Sequence, residues 1–248
     1  MIPAQKLSLD DSPKTPEDKA EMEGIPYISA VGSLMYLVTM THPDIAFAVG
    51  VLARFNSNPE QAHWKAVKHL FHYLKGTLDM KLEYGPDDSL GPEMFATYSD
   101  ANHDGNKDNG KSTTGYLVQL GSGGVSWSSK LQPVVTWSTT EAEYIAAGAA
   151  GAEILWVQNV LKELGYISRA PANLWVDSQS AISVSKNLEH HECMKHLDLC
   201  FYWLKDQVGK NKIKPAHLRM DDMPVDLLTK ALPKPQLLKL QQKMGLVV

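Results

Sequence analysis

Residues 95–137 read FATYSDANHDGNKDNGKSTTGYLVQLGSGGVSWSSKLQPVVTW. Phe95, Thr97 and Ser99 alternate with Ala96, Tyr98 and Asp100, the period of two that a strand shows when one face meets a core. Two further runs, Thr113 to Leu120 and Val125 to Lys130 continued by Pro133 to Trp137, follow across Asn-Gly and Gly-rich turns. The stretch therefore predicts an antiparallel meander of three strands.

Downstream, a helical run from Glu141 to Leu164 stops at Gly165. The pattern then predicts a strand Asn173 to Val176, a helix Gln179 to Ser185, a helix Leu197 to Val208, a strand Ile213 to Leu218 and a last helix from near Pro224. Three sequential strands followed by alternating helices and strands describe an α/β domain with one five-stranded mixed sheet flanked by helices. Upstream, Val31, Leu34, Met35 and Val38 give one apolar helix face from about Ala30, and Pro43 opens a second helix, Asp44 to Phe55. Asn58 and Pro59 read as cap and first-turn residue of a third helix that Gly76 closes. On it Val67, Leu70, Phe71 and Leu74 line one side; Lys65, Lys68, His69, His72 and Lys75 line another, a face that could track phosphates or simply meet water. The expected organisation is an extended lead-in over 1–25, a helical segment over 26–88, the sheet domain over 93–232 and a helical tail over 233–248.

The chain has 248 residues, 44% hydrophobic and 21% charged, with mean hydropathy −0.24. This composition folds, and no apolar run approaches the roughly 18 residues of a membrane span. Two cysteines, Cys193 and Cys200, are too few for a disulfide framework and favour a reducing, intracellular compartment, cytoplasmic or nuclear. The net charge of −4 argues against a nucleic-acid binder, but residues 191–248 hold 10 Lys and Arg against 6 Asp and Glu, so acid and base are segregated.

Four acids fall at element ends: Asp100 in the first strand, Glu141 at the mouth of the long helix, Asp177 after the fourth strand and Asp226 in the first turn of the last helix. A convergent set of carboxylates requires cations, and hard oxygen donors select Mg²⁺ or Mn²⁺. Alternatively Asp177 and Asp226 are helix-start acids, and Asp226 pairs with Lys230 four residues on. Thr140 with Glu143 fits a capping box, which leaves Glu141 as the expected ligand.

These residues lie in motifs that resemble the ribonuclease H domain of copia-type LTR retrotransposon polyproteins. The motifs are Tyr98-Ser99-Asp100-Ala101-Asn102, Lys111-Ser112-Thr113-Thr114-Gly115-Tyr116, Ser126-Trp127-Ser128-Ser129-Lys130-Leu131-Gln132, Ser138-Thr139-Thr140-Glu141-Ala142-Glu143-Tyr144, Asp177-Ser178-Gln179-Ser180-Ala181, Lys195-His196-Leu197-Asp198 and Asp226-Leu227-Leu228-Thr229-Lys230. Upstream, Val31 to Leu37, His42 to Val49, His63 to Ala66 and Tyr73 to Gly76 resemble the end of the same polyprotein's reverse transcriptase, its thumb and connection region. No Tyr-x-Asp-Asp polymerase motif occurs, so DNA synthesis is not expected.

The resemblance implies a ribonuclease H-like fold in which Asp100, Glu141, Asp177 and Asp226 bind two Mg²⁺ ions, Mn²⁺ being able to substitute, and hydrolyse the RNA strand of an RNA:DNA hybrid to a 5′ phosphate and a 3′ hydroxyl. By analogy Ser138, Thr139 and Gln179 touch the hybrid, and Lys65, Lys68 and Lys75 extend its track. A separate reverse transcriptase is an implied partner. The family often has an acid and a Trp where this chain has Asn102 and His103, positions that are not ligands. His217 is expected on the fifth strand rather than in a catalytic loop. The group His190, His191, Cys193, His196 and Cys200 fits no standard zinc spacing. Alternative readings are a non-catalytic nucleic-acid or protein-binding remnant and an accessory subunit of a reverse transcriptase.

Overall fold

The computed structural model describes residues 7–86, 95–166, 171–186 and 198–248, with side chains of the last segment from Tyr202 onward. The lead-in, expected to be extended, is folded from Leu7: Ser8 and Asp11 cap each other across a 3₁₀ turn, and Thr15 and Asp18 do the same at helix α1 (Pro16–Glu21). Short-range caps of this kind need no apolar periodicity.

Helices α2 (Tyr27–Met40), α3 (Ala46–Ala53) and α4 (Gln61–Lys75) pack around Val31, Leu34, Val49, Leu52, Phe55, Val67 and Leu70. Pro43–Ile45 is a 3₁₀ turn leading into α3. Helix α4 starts two residues later than the Asn58-Pro59 pair predicts, because Glu60 and His63 form the reciprocal cap. The buried His63 ring stacks on Phe55 with centroids 4.0 Å apart. Phe71, expected in the core, is 40% exposed, since Ala66, Val67 and Leu70 already fill the buried face.

After a short strand β1 (Lys81–Leu82) come β2 (Phe95–Asn102), β3 (Thr113–Leu120) and β4 (Gly123–Leu131), the predicted meander. Pro133 to Trp137 is not strand: Lys111 Nζ donates to Pro133 O at 2.7 Å and the segment turns into α5 (Thr139–Glu163). Strand β5 (Ala172–Val176), α6 (Gln179–Lys186), α7 (Asp198–Gly209) and β6 (Ile213–His217) follow. The sheet order is β4-β3-β2-β5-β6, antiparallel through β2–β4 and parallel from β2 through β6. This is the five-stranded mixed sheet the pattern predicts. Its core lies under α5, α6 and α7 around Tyr144, Ile154, Leu174, Val176, Leu204 and Ile213.

The opposite face is covered by the Pro224–Leu228 3₁₀ helix, which stands where an α-helix was expected, and by α8 (Lys234–Lys243). Ala46 of α3 joins Leu117, Val225, Leu228, Leu240 and Met244 in that layer, so the upstream helices and the sheet share a core. Trp127 Nε1 donates to Val38 O at 2.8 Å across the same junction. Strand β7 (Leu246–Val247) pairs with β1. Among the described residues no helix is long and apolar enough to cross a membrane.

Candidate active site

Strand β2 carries Asp100 to the end of the sheet's central ladder, and β5, parallel to β2, brings Asp177 just beyond its own carboxyl end. Both acids lie toward the carboxyl ends of these adjacent parallel strands, the edge where an open α/β sheet places its site. Asp100, Glu143 and Asp177 each offer an oxygen, and the three oxygens lie within 4.8 Å of one another.

Glu141, the glutamate expected to be the ligand, is not in this cluster. The helix begins earlier than Glu141, so its cap is Ser138: Ser138 Oγ accepts from Glu141 N at 3.2 Å, and Glu141 Oε2 accepts from Trp137 N at 2.7 Å. The cap thus lies at Ser138 rather than Thr140, and it is Glu141, not Glu143, that binds a backbone amide of the helix start, that of Trp137 just before the cap. Two residues on, roughly 200° around the helix, Glu143 faces the sheet. Its Oε1 accepts the Ala101 amide at 3.1 Å, and its buried Oε2 has no hydrogen-bond partner. Sequence spacing could not choose between two acids two residues apart; the register of the helix start was the missing signal.

Asp226 sits in the buried 3₁₀ helix, and a glycine lets that segment approach. Gly115 is the ladder partner of Asp100, and a Cβ there would stand 2.7 Å from Thr229 Cγ2. Thr229 Oγ1 donates to Asp100 Oδ2, and Asn102 Nδ2 to Thr229 O at 3.1 Å. Lys230 Nζ stands 3.0 Å from Asp226 Oδ1 and 3.3 Å from Asp100 Oδ2. The i,i+4 pair read from sequence is thus present, and the same ammonium also holds the first acid.

Burial, then the charge of Asp100, raises the carboxyls of Glu143, Asp177 and Asp226 above their ordinary range. Burial alone would lower the Lys230 ammonium, but Asp100 and Asp226 hold it above its ordinary value. All donors in the cluster are oxygens, and the Glu143 oxygen without a partner is 93% buried with its residue, at 7% exposure. That set fits a hard divalent cation.

The starts of α5 and α6 meet beside the acids: Thr140 Oγ1 and Ser180 Oγ are 3.1 Å apart, and Ser178 Oγ lies 3.0 Å from Ser180 Oγ. Ser138, Thr139 and Gln179 are exposed at this junction. Trp137, which the sequence reading passed over, is 90% exposed one residue before the cap. His217 ends β6, paired with Val176, and its ring is exposed near Asp177. Lys65, Lys68 and Lys75 are exposed along one stripe of α4. His190, His191, Cys193 and His196 lie outside the described residues, as does the side chain of Cys200.

No protein-family model matches the chain. The retrovirus-related Pol polyprotein from transposon TNT 1-94 of Nicotiana tabacum is 44% identical over 229 residues, 92% of this chain and 17% of that protein. Its counterpart from transposon RE2 of Arabidopsis thaliana is 34% identical over 247 residues, 100% of this chain and 16% of that protein. The chain belongs to the Pol polyproteins of copia-type transposons. It corresponds to their C-terminal reverse transcriptase and ribonuclease H region and spans 16–17% of the length of these Pol relatives. A shorter relative, Secreted RxLR effector protein 161 of Plasmopara viticola, is 44% identical over 136 residues, 55% of this chain and 94% of that protein. Among solved structures, LC11 ribonuclease H1 in complex with an RNA/DNA hybrid is 14% identical, with a TM-score of 0.41 over 54% of this chain and 93% of that one. The Pol membership and the sheet topology together make the sheet unit a ribonuclease H-like domain.

Proposed function

We propose that this Pol region hydrolyses the RNA strand of RNA:DNA hybrids, leaving a 5′ phosphate and a 3′ hydroxyl. The observation that carries the reading is the convergence of Asp100, Glu143, Asp177 and Asp226, acids from four separate stretches, around one end of the sheet. Glu143 takes the place first expected of Glu141.

Asp100, Glu143, Asp177 and Asp226 would hold two divalent cations, Mg²⁺ in the cell with Mn²⁺ able to substitute. Such ions supply an activated water and charge neutralisation at the leaving oxygen. The protein's own groups do the positioning. The Ala101 amide fixes the Glu143 carboxylate, and the Thr229 hydroxyl fixes that of Asp100. Ser138, Thr139 and Gln179 at the helix junction face the groove in which 2′-hydroxyls distinguish RNA from DNA. The exposed Trp137 indole gives a stacking surface beside them. Lys65, Lys68 and Lys75 of the upstream thumb and connection unit follow the hybrid's phosphates, and a separate reverse transcriptase is the partner that would supply the hybrid.

The test is cleavage of a labelled RNA:DNA hybrid by the full chain in Mg²⁺, with double-stranded DNA as control. Cleavage of the RNA strand that stops in EDTA is the expected result; cleavage that persists in EDTA overturns the two-ion reading. The effector-named relative, which matches over nearly its whole length, supports a second reading as a non-catalytic binding remnant. Hybrid binding without cleavage in the same assay would select it.

A further inference from the structure

Among the described residues, four carboxylates share this site with one ammonium, and the ammonium is not central. Lys230 Nζ contacts Asp226 Oδ1 at 3.0 Å and both oxygens of Asp100, at 3.3 and 3.4 Å. The three-oxygen group of Asp100, Glu143 and Asp177 does not include Asp226. Asp100 is therefore the hinge between two halves: a carboxylate triad with a partnerless Glu143 oxygen, and a carboxylate pair already neutralised by a lysine.

We infer that Lys230 is a resident cation that occupies the Asp100–Asp226 half of the site, so that divalent ions enter in sequence: the first at the triad with Lys230 in place, the second only by displacing the ammonium. This rests on the metal-binding reading above. The physical reason is exclusion. A divalent ion bridging Asp100 and Asp226 would take the same oxygens at about 2.0–2.6 Å. Two cations on one carboxylate pair in a partly dry setting repel strongly. Lysine suits the task because its charge rides on a flexible four-carbon stem. The side chain is 29% exposed, which gives the displaced ammonium a route to solvent and to an incoming phosphate. An arginine fork or a fully buried lysine would lack that route. Lys239 and Lys243 also pair with an acid, Asp222, but on the exposed surface, and among the described residues neither is paired with a second carboxylate.

The test is a calorimetric titration of the full chain with Mn²⁺, comparing the native protein with Lys230→Met and, as control, Lys239→Met. The native and control proteins should bind one ion with a second far weaker. Lys230→Met should bind the second ion about tenfold tighter or more, and its melting temperature without divalent ions should fall and recover on adding Mn²⁺. Unchanged stoichiometry and affinity in Lys230→Met overturns the inference. If that variant does not fold, the native chain labelled at lysine Cε answers the question: the Lys230 resonance should move with the second equivalent of Mg²⁺, and movement with the first, or none, overturns it. The hybrid assay keeps the two readings apart. A native chain that cleaves hybrid while Lys230→Met titrates like the native protein loses only this inference. A chain that titrates as expected but never cleaves loses only the hydrolase reading.

Discussion

Glu141 and Glu143 stand two residues apart on one helix and bind backbone amides on opposite sides of it: Glu141 takes Trp137 N at 2.7 Å, outside the site, and Glu143 takes Ala101 N at 3.1 Å, inside it. Conservative amides separate their roles. Glu143→Gln should abolish hybrid cleavage with an equal or higher melting temperature, because a buried carboxylate among other acids is removed. Glu141→Gln, whose amide oxygen can still accept from Trp137 N, should keep most activity and change the melting temperature little. The reverse pattern in paired melting and cleavage measurements would reassign the ligand.

At Gly115 the segment that carries Asp226, Thr229 and Lys230 packs directly on the sheet. An alanine Cβ would meet Thr229 Cγ2 at 2.7 Å and Leu228 Cβ at 3.0 Å. Overpacking of this kind costs about 1–3 kcal/mol. Gly115→Ala should therefore lower the melting temperature and weaken Mn²⁺ binding together, since Thr229, Asp226 and Lys230 move as one piece. A melting temperature within error of the native value would show that the segment has slack.

His63 should make the upstream helices acid-sensitive. Burial holds its imidazole below its ordinary 6.5, its Nδ1 accepts the Glu60 amide at 3.0 Å, and its Nε2 has no partner. The sign follows from the protons bound. Below 6.5 the unfolded chain takes up a proton that the folded ring resists, so stability is full above about pH 6.5 and declines as pH falls toward the lowered folded value. His63→Gln should flatten that decline in melts run from pH 7.5 to 5. An equal slope in both proteins would place the sensitivity elsewhere.

The basic stripe of α4 makes a separate prediction about salt. Changing Lys65, Lys68 and Lys75 together to Gln should make the slope of log hybrid affinity against log salt shallower by about 2 to 3 if all three meet phosphate. Turnover at saturating hybrid should survive. Weaker binding with an unchanged slope would mark a packing defect and leave α4 as a solvated surface.

The mixed sheet was legible because short runs rich in β-branched and aromatic residues sit between Gly and Asn-Gly turns, even though β2 and β3 prove to be buried on both faces. Pro133 to Trp137 is also rich in β-branched and aromatic residues, yet Lys111 captures the Pro133 carbonyl and the chain leaves the ladder. Three acids of the site, Asp100, Asp177 and Asp226, were marked by their places at element ends. Glu143 was not, because one turn of helix start decides which of two neighbouring acids faces the core. Lys230 was visible as a partner of Asp226, but its contact with Asp100 spans 130 residues and exists only once the sheet and the Pro224–Leu228 segment have met. Asn58 and Pro59 looked like a cap, and a glutamate and histidine just beyond them proved the better reciprocal pair.

Helix α8 is fastened to the opening helices as well as to the sheet: Gln241 Nε2 donates to Asp44 Oδ2 at 2.8 Å, and Tyr73 donates to the same oxygen. The carboxylate set also needs Asp226, encoded near the end of this stretch. Asp100, Glu143 and Asp177 precede it in the chain, and the fourth acid is tied to Asp100 through Lys230, which lies between β6 and α8. The bond between Asp44 and Gln241 therefore closes a loop of 197 residues, and the segment that carries Asp226 lies within it.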